Sequence, residues 1–184
     1  MRYSHGQKKR DSMKAIYLLS AILIAFAFRS HGQELATYSK PEYSINYPAD
    51  WIMDDSGNAG SIFLISSKLT DDEDTYQDFI RLNKYLLAPG QGLDGYVEQL
   101  VKDIPFFYQQ SKIEANQRRE KDGLSYQMIE YSGLLNNFGL TVRQMIWVDR
   151  EYVYVLEFMG NTGSAEKVLS QAILAMNSFT FHSK

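Results

Sequence analysis

The stretch YSINYPADW, Tyr43 to Trp51, decides how the rest of the chain is read. Tyr43, Ile45 and Tyr47 alternate with Ser44 and Asn46, which is the period of a strand with one face toward a core. Pro48 and Asp50 then turn the chain, because proline fixes φ and a short acid bonds its own backbone. Trp51 follows where the next extended segment begins. A tryptophan in that place is either an aromatic binding residue or the seam between the opening strands.

Downstream, DDSGNAG turns the chain again and SIFLISS, Ser61 to Ser67, reads as the next strand. DFIRLNKYLLA, Asp78 to Ala88, alternates Phe79, Arg81, Asn83 and Tyr85 with Ile80, Leu82, Lys84 and Leu86, as a strand with one wet face does. From Leu93 the apolar residues Tyr96, Val97, Leu100, Val101 and Ile104 form the stripe of an amphipathic helix, which Pro105 ends or bends. SKIEANQRREK then reaches Asp122–Gly123, a dipeptide whose residues tolerate positive φ and so mark a hairpin. LSYQMIEYS, LTVRQMIWV and YVYVLEFM follow, with turns at Asn136–Asn137 and at Asp149 to Glu151. Strands joined by turns this short pair antiparallel. Ser164 is placed to cap a last helix that buries Val168, Leu169, Ala172, Ile173 and Met176, and FTF closes the chain as an edge strand. The expected class is α+β, an antiparallel β-sheet with two main helices packed on it, as one domain over residues 42–182.

The first 32 residues read as a signal peptide and residues 33–41 as a loose leader. Arg2, Lys8, Lys9, Arg10 and Lys14 precede a 14-residue apolar run, Ala15 to Phe28, shorter than the ~20 residues a bilayer needs. Cleavage fits after Ala27 or after Gly32, and Met13 opens a complete signal by itself. The expected address is a periplasm or the outside of the cell, with no stable membrane anchor after cleavage. The chain has no cysteine, which removes disulfides, thiol nucleophiles, thiolate metal sites and a lipid-modified cysteine. Of 22 acids and 19 bases, one acid and six bases lie in the signal, leaving 21 acids against 13 bases. An acidic domain is a poor partner for nucleic acid or an anionic lipid surface.

Little in the sequence supports catalysis. Beyond the signal His182 is the single histidine, two residues from the end, where a chain is usually mobile, so neither a Ser-His-Asp triad nor ordinary zinc ligation is expected. No catalytic, metal-binding or cofactor-binding residue is assigned, and no cofactor is expected. Gly90, Gly92 and Gly95 in GQGLDG satisfy a phosphate-loop spacing, but the half-polar strand before it and the meander after it make a turn the better reading. DDED, Asp71 to Asp74, is read as a solvated loop, since Tyr76 and Leu82 stand where a calcium loop needs Gly and Glu. Phe106, Phe107, Tyr108, Arg118 and Arg119 form the candidate binding surface: three aromatics after the helix and two bases before the hairpin turn. Tyr126, Tyr131, Tyr152 and Tyr154 are read as cross-strand pairs on a sheet face without a helix, the alternative being an exposed apolar patch that marks an interface.

The order of these pieces resembles the PsbP-like family, which includes the thylakoid-lumen PsbP proteins and the bacterial DcrB-like proteins. YSINYPADW, FIRLNKYLL, LDGYVEQLV, WVDREYVYVLEF and the last helix ending in NSF carry the resemblance, from Tyr43 to Phe181. It implies a PsbP-like α/β sandwich in which the Y-P-x-x-W segment turns between the first strands and packs on the sheet, making Trp51 the seam. Family members include photosystem assembly factors, a nuclear-import factor that binds a small GTPase, and envelope proteins. The resemblance therefore implies a non-enzymatic domain that binds or assists another envelope protein. The alternative is a carrier of a small apolar ligand, lipid or glycan, held near Pro105, Phe106, Phe107 and Tyr108, with a hydrolase the third reading.

Overall fold

Asp122 and Gly123 both take positive φ, 52° and 76°, and the chain reverses there between two long strands. Asn136 and Asn137 do the same at 51° and 68°, so the meander is built by residues that tolerate the left-handed region. The protein is seen in a computed structural model that describes residues 34–57, 60–69, 76–163 and 166–182. In chain order its elements are β1 (Leu35–Lys40), β2 (Tyr43–Pro48), β3 (Ile52–Asp54), β4 (Phe63–Ser66), β5 (Phe79–Leu86), α1 (Leu93–Phe107), β6 (Gln109–Lys121), β7 (Leu124–Leu135), β8 (Phe138–Asp149), β9 (Tyr152–Asn161), α2 (Glu166–Ser178) and β10 (Thr180–Phe181).

The expected α+β class is the observed one, with every strand pairing antiparallel. The described residues form two sheets rather than one. Seven strands run in the order β3-β4-β5-β9-β8-β7-β6, and three in the order β1-β2-β10. Alternating directions make β5 and β6 parallel to each other, yet three strands lie between them. The connection through α1 therefore has to cross the large sheet.

The pleat then sorts the side chains. On one face Phe63, Ile65, Ile80, Leu82, Met128, Met145, Trp147, Leu156 and Phe158 meet Tyr43, Ile45 and Trp51 together with Ala172, Met176 and Phe179 of the α2 region. On the other, Ile129, Tyr131, Val142, Ile146, Val153 and Val155 meet Val97 and Ile104 of α1. The two helices thus cover opposite faces. This corrects the expectation of a helix-free face: Tyr126 and Tyr131 are both buried, one in each core, because five residues of separation puts them on opposite sides of the strand.

The opening strand sits as its alternation requires. Tyr43 and Ile45 are buried, Tyr47 is half-buried, and the Trp51 N–H donates to the Pro48 carbonyl at 2.9 Å across the turn. Trp51 is a seam residue. The stretch expected to be a loose leader is largely strand β1, paired residue by residue with β2 from Leu35↔Pro48 to Lys40↔Tyr43. Its anchor is Tyr38, whose ring lies 5.7 Å from Phe63 and whose hydroxyl donates to Asp55 at 2.9 Å. One half-buried ring in a polar segment leaves no hydrophobic period to read. Helix α1 runs through Pro105 and ends at Phe107, within a turn of the proline expected to end or bend it. The signal segment, Asp71 to Asp74 and Ser164 lie outside the described residues. Among those described, no helix is long and apolar enough to cross a membrane.

Candidate functional site

Helix α1 and the strands beneath it hold most of the candidate residues, and the last turn of α1 divides the aromatic ones. Ile104 and Tyr108, four residues apart, point at the sheet and are buried. The Tyr108 ring meets Tyr131 edge-on at 5.2 Å, and its Cβ stands where a side chain on Gly133 would collide, 2.8 Å from an added Cβ. Phe106 and Phe107 fall between those two positions and face out, 84% and 68% exposed. The expected aromatic surface therefore loses Tyr108, which is core. Nor do Pro105 to Tyr108 form one ligand hollow, since Pro105 and the phenylalanines are exposed while Tyr108 is buried. Gln109 of β6 pairs with Leu134, next to the β7–β8 turn, so the exposed phenylalanines lie toward the sheet end that also carries exposed Phe138.

The two arginines are separated by the pleat. Arg118 stands opposite Gln127, on the α1 side, and forms an ion pair with Asp94 in the first turn of α1. Arg119 belongs to the other side and donates to Gln117 at 2.9 Å. They do not make one basic patch. Lys121, their neighbour at the hairpin, donates to the Asn177 carbonyl and to the Phe179 carbonyl at 2.7 Å, tying down the C-terminal end of α2 where a cation is favoured. Burial lowers its pKa.

Sequence reasoning missed a buried polar cluster on the α1-side face. Arg81 of β5 meets Glu157 of β9 through Nε at 2.7 Å and Nη2 at 2.6 Å, and Gln144 of β8 donates to the other carboxylate oxygen. The register places Arg81 opposite Glu157 and Glu157 opposite Gln144, a line across three strands. Burial works against the Arg81 charge, but Glu157 more than offsets it and holds the guanidinium above its ordinary pKa. Among the described residues the buried Gln144 Oε1 atom has no hydrogen-bond partner. In sequence Arg81 reads as a wet-face residue and nothing singles out Gln144 or Glu157; only the pairing register brings the three together.

Tyrosines surround this pair. Tyr76, Tyr85, Tyr96, Tyr108 and Tyr131 all have pKa values raised, first by burial, with Glu157 adding to the effect in each. Tyr76 and Tyr96 are pushed up to about 12 from 10.0. The folded protein holds these protons more tightly than the unfolded chain, so the sign of the linkage is fixed. Stability from this group is fully present below pH 10 and declines as pH rises toward 12. Chemical unfolding from pH 8 to pH 12 should lose on the order of a few kcal/mol, coincident with tyrosinate absorbance. Ionisation of Tyr76 and Tyr96, followed residue by residue by NMR, near the ordinary pKa with the fold unchanged would contradict that burial.

His182 is not at a loose end. Its N–H donates to the Glu42 carbonyl at 2.8 Å, Nε2 stands 3.0 Å from Ser44 Oγ, and Nδ1 is 3.3 Å from the Pro41 carbonyl oxygen. A proton on Nδ1 would direct Nε2 to accept from Ser44, the polarity a general base needs. The orienting group here is a backbone carbonyl rather than a carboxylate, and the imidazole is exposed. GQGLDG is a turn that leads into the first residues of α1: Gly90 takes φ 79°, the Gln91 N–H donates to the Ala88 carbonyl, and β5 and β6 flank the segment without pairing. Among the described residues no group of three or more His, Cys, Asp or Glu could hold a metal ion.

No protein-family model matches the sequence, and no curated protein does. Solved structures do match the fold. Cyanobacterial PsbP from Synechocystis sp. PCC 6803 is similar over 82% of this chain and 94% of its own, at 17% identity and a TM-score of 0.56. LpqN, involved in cell envelope biogenesis of Mycobacterium tuberculosis, is similar over 83% of this chain and 88% of its own, at 14% identity and a TM-score of 0.54. The Saccharomyces cerevisiae Ran-binding protein Mog1p covers 81% of this chain and 96% of its own, at 8% identity and a TM-score of 0.56. At such identities the likeness is one of architecture, and the architecture of this chain is the PsbP-like α+β fold.

Proposed function

We propose that the protein is an exported, non-enzymatic PsbP-like domain that binds or assists another envelope protein, with Phe106 and Phe107 as the contact. The observation that carries this is the exposure of two consecutive large aromatics, 84% and 68%, at the end of a helix, between the buried Ile104 and Tyr108. Each ring brings the large apolar area that anchors protein interfaces, and neither contributes to the core. Of the structural neighbours, one is described as binding another protein and one as acting in envelope biogenesis, which is consistent with this reading. Export rests on the basic and apolar opening of the sequence.

The reading separates binding from folding. Phe106→Ser with Phe107→Ser should leave unfolding stability within about 0.5 kcal/mol, as surface changes do, while abolishing recovery of the partner that the parent chain retains. Loss of folding in that variant would place the rings in the core and end the proposal. The non-enzymatic part has its own check. An activated Ser44 would react with a fluorophosphonate, and the expected result is no covalent adduct; an adduct lost in Ser44→Ala would establish a hydrolytic centre.

A further inference from the structure

Between α1 and the edge of the large sheet runs an open groove of ≈ 420 Å³, lined by Asp94, Val97, Glu98, Val101 and Lys102 of the helix and by Asn116 and Gln127 beneath. Its charges are already paired: Asp94 with Arg118, and Glu98 with Lys102 at 2.7 Å. The groove therefore asks for an uncharged occupant. Val97 and Val101, one turn apart, give its helical wall an apolar stripe.

The floor specifies more. Gln127 Nε2 donates to Asn116 Oδ1, which uses one of the two donors of the first amide and one lone pair of the second amide's oxygen. Each primary amide has a carbonyl oxygen and an NH₂ group, so a carbonyl acceptor on Gln127 and a donor on Asn116 remain for a ligand. A residue in an extended chain turns its own N–H and C=O to the same side, as in a hydrogen-bonded antiparallel pair. That edge matches an adjacent acceptor and donor. A single trans acetamido group, as on an N-acetyl sugar, points its N–H and C=O in opposite directions and cannot meet both. From Asp94 to Lys102 the helix advances about 12 Å, enough for three or four extended residues at about 3.3 Å each.

We propose that the groove between α1 and strands β6 and β7 holds an uncharged, extended peptide segment, read through its main chain by Asn116 and Gln127. This site is separate from the exposed phenylalanine pair and does not depend on it. The test is a titration of ¹⁵N-labelled protein with the blocked peptide acetyl-Ala-Val-Ala-Val-amide, following the side-chain NH₂ signals of Asn116 and Gln127 by NMR. Saturable shifts of both signals are expected. Asn116→Ala should weaken binding about tenfold, the effect of one lost hydrogen bond to a desolvated partner. Val101→Lys, on the partly exposed wall, should abolish binding while the rest of the spectrum keeps the folded pattern. Silence of both amide signals at millimolar peptide would overturn the proposal, as would undiminished shifts in the Val101→Lys protein. N,N′-diacetylchitobiose moving these signals when the peptide does not would make the groove a glycan site and overturn the peptide assignment.

Discussion

Replacing Trp51 with alanine is expected to lower the free energy of unfolding by about 3–5 kcal/mol, the cost of truncating a large aromatic in a core. The residue is 6% exposed and belongs to the core in which Tyr43, Ile45, Phe63 and Phe179 meet. Its backbone also closes the turn after β2, so the ring and the turn hold the small sheet against the large one. Denaturant unfolding measures the effect. A Trp51→Phe control keeps an apolar ring and should recover more than half of the loss. If alanine cost less than about 1 kcal/mol, the range of an ordinary surface change, the indole would be a surface residue and the seam reading would fail.

Arg81→Met should cost a comparable amount, about 3–5 kcal/mol, because it leaves the Glu157 carboxylate buried with only Gln144 to solvate it. Glu157 is the more buried partner, with its side chain 6% exposed against 31% for Arg81. Removing the acid instead, by Glu157→Gln, should therefore cost less, since the guanidinium reaches water. The double variant Arg81→Met with Glu157→Met should return to within about 1–2 kcal/mol of the parent, as replaced buried pairs commonly do. Equal costs for the two single variants, adding in the double, would show two independent residues rather than one coupled pair.

Much of the architecture was legible because its signals are local. The Asp122–Gly123 and Asn136–Asn137 turns, the stripe from Leu93 to Ile104 and the alternation of Tyr43, Ile45 and Tyr47 each depend on a few neighbouring residues, and each element stands where its pattern lies. What escaped was set by pairing over distance. Strand β1 exists because β2 offers it a ladder, and the second sheet exists because Thr180 and Phe181 return to Ser44 and Tyr43. The opposed positions of the helices follow from β5 and β6 lying apart in the strand order, which no local period encodes.

The candidate site divides along the same line. Phe106 falls off the stripe of α1, whereas Phe107, three residues after Ile104, continues its spacing; both are nevertheless exposed. Tyr108 was grouped with them by adjacency, although its spacing from Ile104 is the one that faces the sheet. Arg118 and Arg119 were grouped the same way, where a period of two separates them. The Arg81–Glu157–Gln144 line joins residues up to 76 positions apart, and no sequence spacing announces it.

The central claim is that the exposed phenylalanine pair is a protein contact, and site-specific photo-cross-linking in the native cell tests it most directly. A benzoylphenylalanine would replace Phe106 in one strain and Leu174 in another; Leu174 is 68% exposed on α2, whose core-facing residues belong to the opposite side of the large sheet. The account predicts one discrete adduct of added protein mass from position 106 and none from 174. An adduct from 174 alone, or no adduct from 106 when the probe-bearing protein accumulates normally, would contradict it.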